Sequence, residues 1–174
     1  AVVAQEPDLQ QPEPPLSPAE NYHITNEALG VGSPKTKFAY NVAAIQLLKQ
    51  IEAEERQATP EEQEILANYV GWGGIPQAFD RENADWAQEY VQLRTLLTSE
   101  EYATARASTL NAHYTSPVVI QAMYSALEQM GFRNGNVLEP ACGIGNFFGM
   151  LPESMQGSRL YGVELDSITG RIAR

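Results

Sequence analysis

The chain has one cysteine, Cys142, in 174 residues. That excludes a disulfide scaffold and any multi-cysteine zinc or iron–sulfur site within it, and no other metal set is expected. A single thiol is consistent with a reducing, cytoplasmic setting. No apolar run approaches the ~20 residues of a membrane-spanning helix, and no charged-then-apolar leader opens the chain. Bases are scarce: 11 Lys and Arg stand against 22 Asp and Glu, a net charge of −11. Residues 1–60 carry 8 acids and 4 bases, residues 61–110 carry 9 and 3, and residues 111–174 carry 5 and 4. With no basic stripe, this chain alone is not expected to hold nucleic acid by neutralising phosphates. Ala1 stands where a start Met would, so the sequence reads as a piece of a longer protein.

What is present is enough for one domain with a real core: 19.1 kDa, 43% hydrophobic and 19% charged. Residues 1–20 hold Pro7, Pro12, Pro14, Pro15 and Pro18 among Gln and Glu, and are expected to be a disordered or polyproline-like tail. Residues 21–37 read as a loop. The spacing of Val42, Ile45, Leu48 and Ile51 predicts an amphipathic helix over about 38–57. Thr59, Pro60 and Glu62 make a capping-box start for a second helix, expected to reach Val70 and stop at Gly71. Gly71-Trp72-Gly73-Gly74 is a sharp turn whose Trp is expected in a core, with Tyr69 and Phe79. Helices are expected over 85–97 and, capped by Thr98 with Glu101, to Ser108. Residues 38–110 thus read as all helical, and with the loop before them make a helical N-terminal unit over 21–110.

The pattern changes after residue 110. Pro117 opens a helix that Gly131 ends. Asn136–Leu138 reads as a strand, 141–146 as a glycine-containing loop, 147–151 as a short helix, and 160–163 as a second strand. A last helix begins near Ser167, with Asp166 as its N-terminal acid. Strand, loop, helix, strand is the start of a parallel α/β sheet.

The chemistry is concentrated in Glu139-Pro140-Ala141-Cys142-Gly143-Ile144-Gly145-Asn146-Phe147 and Gly162-Val163-Glu164-Leu165-Asp166. Gly143 and Gly145 let backbone approach a ligand and offer it N–H groups. Glu164 falls 19 residues after Gly145. At the end of the second strand it can accept hydrogen bonds from a ribose diol. A dinucleotide loop needs a third glycine at 148, and Phe148 stands there. A carboxylate just ahead of the glycines, Glu139, suits a cation rather than a pyrophosphate. S-adenosylmethionine supplies an α-ammonium and a sulfonium for it to pair with. A nicotinamide-dependent oxidoreductase is disfavoured on both counts. Cys142 is expected to be a small packed residue of the loop, His113 a hydrogen-bonded structural residue, and His23 without a role.

These motifs, preceded by His113-Tyr114-Thr115-Ser116-Pro117, resemble the gamma-type class of S-adenosylmethionine-dependent DNA adenine-N6 methyltransferases. This chain has Ser116 between Thr115 and Pro117, where the family has aromatic-Thr-Pro. The likeness covers about residues 111–174. It implies a Rossmann-like fold of which only the start is present. It also implies that Thr115 meets the methionine carboxylate, Glu139 the ammonium, Glu164 the ribose and Leu165 the adenine ring. Ala141, Gly143 and Gly145 would then line the cofactor by backbone, with Tyr114 as a wall. Thr36-Lys37-Phe38, Tyr69–Gly74, Ala107–Thr115 and Glu153-Ser154-Met155 look like large bacterial mobile-element proteins in which a methylase precedes a helicase-like region. The family's Asn-Pro-Pro-aromatic motif, which binds the flipped adenine, is absent from the 174 residues. The chain is therefore expected to hold cofactor residues and no catalytic ones, with DNA engaged by sequence beyond it. The alternative is a non-catalytic helical interaction module on a remnant nucleotide-binding fold. An open sheet edge would also favour self-association.

Overall fold

The computed structural model describes residues 21–26 and 28–174; the expected tail, 1–20, lies outside the described residues. The fold mixes helices with one two-stranded parallel sheet.

The first helix, α1 (Pro34–Ala53), begins earlier than the apolar spacing predicts, because Ser33 caps it and Pro34 occupies the first turn. It also ends earlier: Glu54 is the C-cap, and Glu55 turns away with φ 50°. Its buried stripe includes Phe38, Val42, Ile45, Leu48 and Ile51. The second, α2 (Pro60–Ala67), has the capping box formed by Thr59 and Glu62. It stops three residues short of Val70. There Asn41, fully buried on α1, accepts the Val70 N–H at 2.9 Å and donates to the Gly71 carbonyl at 2.6 Å. These two bonds satisfy backbone groups of the segment that follows the helix, one of them in the buried Gly71.

Two 3-10 turns (Pro76–Phe79 and Ala84–Trp86) lead into α3 (Ala87–Leu96). A second capping box, Thr98 with Glu101, starts α4 (Ser99–Ser108). Trp72 is fully buried, with Phe79 edge-on at 5.2 Å and Phe38 and Tyr69 each at 6.3 Å.

Beyond the helical region, α5 (Pro117–Gln129) ends in a Schellman motif. The Gly131 N–H donates to the Glu128 carbonyl and the Phe132 N–H to that of Leu127, each at 3.0 Å. Strand β1 (Asn136–Glu139) pairs in parallel with β2 (Arg159–Gly162), Asn136 opposite Arg159 and Glu139 opposite Gly162. The crossover holds α6 (Asn146–Gly149), one turn only, and a 3-10 turn at Glu153–Met155. Asp166 caps α7 (Ser167–Ile172) by accepting the Thr169 N–H at 2.8 Å.

Two apolar clusters result, and each crosses residue 110. The larger gathers the helical residues around Trp72 and takes in Ile168 of α7. The smaller joins Ile120 and Tyr124 of α5 to Met150, Leu151 and Met155, and takes in Ile24. The Ile24 N–H donates to the Gly149 carbonyl at 2.7 Å, which ties 21–26 to α6. On the other side, Arg171 of α7 reaches Glu52 of α1 at 2.6 Å and Glu101 of α4 at 2.8 Å. No helix among the described residues is long and apolar enough to cross a membrane.

Candidate functional site

A cleft of about 450 Å³ lies where the helical region meets the ends of both strands. Parallel strands place their C-terminal ends, and the loops that follow, on one side of the sheet, where α/β proteins bind ligands. Glu139 closes β1, and Glu164 stands two residues beyond β2. Tyr114, Thr115, Glu139, Ala141, Gly143, Glu164 and Leu165 all line this cleft. Gly145 does not: as the N-cap of α6 it faces a smaller hollow beside Tyr22 and Ile24.

The loop between β1 and α6 is braced against β2. The Val163 N–H donates to the Glu139 carbonyl and the Cys142 N–H to the Val163 carbonyl, each at 3.0 Å. Glu164 completes the brace, one carboxylate oxygen accepting the Gly143 N–H at 2.9 Å and the other the Asp166 N–H at 2.8 Å. This corrects one expectation. The N–H groups of Gly143 and Gly145 are not offered to a ligand: Gly143 serves Glu164, and Gly145 donates to the Cys142 carbonyl at 2.9 Å. Each Glu164 oxygen keeps a further lone pair for a hydroxyl.

Tyr114 is the wall between the two regions. A Cβ on Gly71 would lie 2.7 Å from one edge of its ring, and a Cβ on Gly143 2.9 Å from the other. Gly143 also has φ 58°, so no other residue fits there without strain. Tyr69 meets the ring edge-on at 6.4 Å. Burial pushes the Tyr114 phenol well above its ordinary value, and the Glu164 and Asp166 carboxylates add to the shift. It stays neutral at any physiological pH.

Cys142 is half-buried in the loop. Burial pushes its thiol up, and the Glu164 and Glu139 charges push the same way. It is the reverse of an activated nucleophile. His113 is exposed on the cleft rim, and its imidazole makes no hydrogen bond among the described residues. The expectation of a hydrogen-bonded structural His is therefore not met. Leu165 is 95% exposed, a large apolar side chain on the cleft with almost no cover.

Asn146 and Phe147 line the cleft as well, and sequence reasoning passed over both. The Asn146 Oδ1 is buried with no hydrogen-bond partner among the described residues. Phe147 is fixed by Tyr124, whose hydroxyl donates to the Phe147 carbonyl at 2.6 Å. Burial, with the Glu139 charge behind it, raises the Tyr124 phenol to about 12. Both residues sit in the quoted loop motif, but nothing in their type or spacing marks them. The Glu139 carboxylate has no hydrogen-bond partner among the described residues, and its half-buried side chain faces the cleft.

The cleft thus offers two carboxylate acceptors, Glu139 unpaired and Glu164 with lone pairs to spare. The aromatic residues Tyr69, Tyr114 and Phe147 line it as well. The carboxylates set the sign of the cleft, favouring a ligand that brings N–H, O–H or positive charge and repelling phosphate, while Asn111, His113 and Thr115 line it with donors. Compared with protein-family models, with curated proteins and with solved structures, the chain matches none. The reading of the cleft therefore rests on its own chemistry.

Proposed function

We propose that residues 111–174 form the S-adenosylmethionine-binding part of a Rossmann-like DNA adenine-N6 methyltransferase. The observation that carries this reading is the pairing of two carboxylates at the ends of two adjacent parallel strands. Glu139 is open to a cation, and Glu164 is held beside the glycine loop. An amino acid joined to a nucleoside through a sulfonium needs an anion for its ammonium and acceptors for its ribose diol. It brings no phosphate for the cleft to reject. A volume of about 450 Å³ is in the range of ordinary small-molecule sites.

In this reading the α-ammonium pairs with Glu139. The ribose hydroxyls donate to Glu164, Leu165 covers the adenine ring, and Thr115 meets the methionine carboxylate. Tyr114 shapes the pocket without taking a charge. When bound, the cofactor supplies an electrophilic methyl group. Binding the target base belongs to residues outside these 174, so the chain alone is expected to bind cofactor without turnover.

The test is calorimetry with S-adenosylmethionine on this chain, with NAD as a control. Saturable binding to the wild type, weakened at least about tenfold in Glu139→Gln, is expected from the loss of a charge-assisted bond. Equal binding of NAD, or an unaffected Glu139→Gln variant, would sink the reading. So would no binding to a chain shown to be folded.

A further inference from the structure

A second groove, of about 620 Å³, lies on the other side of α4. Thr104, Ala107 and Ser108 of α4 line the cofactor cleft, while Tyr102, Arg106 and the adjoining Thr109 line the groove. At about 100° per residue these two sets occupy opposite sides of the helix, about 10 Å apart.

The charges in this groove are Arg81, Arg94, Arg106 and one acid, Asp80. Residues 61–110 are the most acidic block of the chain and contain three bases. All three converge here, from a loop, from α3 and from α4. None pairs with a carboxylate among the described residues; the ion pairs there use Lys35, Lys49, Arg56 and Arg171. Asp80 instead accepts the Glu82 N–H at 3.0 Å. The Arg94 guanidinium lies 4.6 Å above the Tyr102 ring, which Phe79 and Tyr90 hold at 5.3 and 6.4 Å. A stacked guanidinium keeps its N–H donors free for an oxyanion. Arg94 and Arg106 each stand in the last turn of their helix, where the dipole favours a cation. That explains one base per helix; it does not explain Arg81 or the convergence.

We propose that this groove binds the phosphodiester backbone of a nucleic-acid strand. Three unpaired arginines, one of them seated on the buried Tyr102 ring, supply phosphate contacts, and the half-buried Tyr90 adds aromatic surface beside them, the combination that suits a strand rather than an acidic peptide. The net charge of −11 does not forbid it, since at physiological salt charges beyond about 8 Å are screened. The groove's affinity for phosphates rests on its own residues; its bearing on catalysis rests on the methyltransferase reading, for it would hold a substrate strand one helix away from the cofactor.

The test is fluorescence anisotropy of a labelled deoxyoligonucleotide, single-stranded and duplex, over a salt series. Cofactor calorimetry on the same samples runs in parallel. Three contacts predict a slope of log affinity against log salt of about −2 for a single strand and nearer −3 for a duplex. The double variant Arg94→Ala/Arg106→Ala should bind about tenfold more weakly with a shallower slope, and cofactor binding should be unchanged. Because Arg94 packs on Tyr102, Arg81→Glu, in an exposed loop, serves as a second variant that should show the same loss. No binding at low salt, variants that bind as well as the wild type, or equal competition by polyglutamate would each overturn the proposal. Oligonucleotide binding without cofactor binding would leave the groove standing and remove the methyltransferase reading instead.

Discussion

The two regions of this molecule treat their apolar residues differently. Before residue 110, Trp72, Phe79, Phe38 and Leu93 close a core around one another, and the large hydrophobics left outside it are scattered. After it, Val118 and Met123 of α5 and Met130 at its C-cap stand exposed, as do Leu138 and Tyr161 of the strands and Val163 just beyond them. A parallel sheet is ordinarily covered on both faces, and this one is not. The helical region supplies all but one buried residue of the larger core, whereas the sheet region borrows: Ile168 and Tyr114 pack into the helical cluster. The candidate cleft lies on the seam, so its shape depends on the region that carries none of its carboxylates.

The largest test of that dependence is Trp72→Ala. It should cost about 3–5 kcal/mol, the usual range for emptying a large aromatic site, and abolish cofactor binding although Trp72 lies outside the cleft. Thermal unfolding with parallel calorimetry measures both; an intact cofactor isotherm would show the regions to be independent. Next comes the tie at Glu101. Burial pushes this carboxyl up, but Lys49, Arg171 and the Thr98 amide outweigh it and hold it at about 2, below its ordinary 4.5. A carboxyl depressed in the folded state gives stability that is full above its unfolded value and lost as pH falls through the folded one. The melting temperature should therefore drop between pH 4.5 and about 2. Glu101→Gln should flatten that drop and cost about 1–2 kcal/mol at neutral pH, since Arg171 keeps Glu52 and Lys49 keeps the Leu96 carbonyl. An unchanged acid profile would dismiss the tie.

A comparable effect is expected from Gly143→Ala. Its left-handed backbone alone costs a side chain about 1–2 kcal/mol, and the new methyl meets Tyr114. Cofactor affinity should fall more steeply than stability, and equal losses would count against Tyr114 as the wall. The smallest stability change belongs to Leu138→Ser, which is 62% exposed and should shift unfolding by less than about 0.5 kcal/mol. If the uncovered face and open edge promote self-association, this variant should reduce the dimer seen by sedimentation. A wild type that is monomeric at every concentration would refute that.

Local signals with a complete mechanism were legible in the sequence. Both capping boxes, the Pro117 helix start, the Gly131 end and the Asp166 cap follow from side-chain and backbone bonding within a few residues. Helix ends set by distant partners were not legible. Nothing in 60–70 signals that Asn41 takes over the backbone at Val70 and Gly71. Ser33-Pro34 was a readable start, passed over because the apolar spacing begins later. In the cleft, the glycine loop and both carboxylates stand out by type and spacing. The engagement of Gly143 with Glu164 and the burial of the Asn146 oxygen depend on how β1 and β2 align. The arginine groove was hidden by block charge: its bases are 12 or more residues apart in an acidic stretch, and only the fold collects them.

Both tryptophans of the chain, Trp72 and Trp86, belong to the helical core, and residues 111–174 have none. Emission excited selectively at tryptophan is thus a built-in reporter of one region alone, while circular dichroism records both. Following the two signals through a single denaturant titration separates loss of the sheet region from loss of the core without any label.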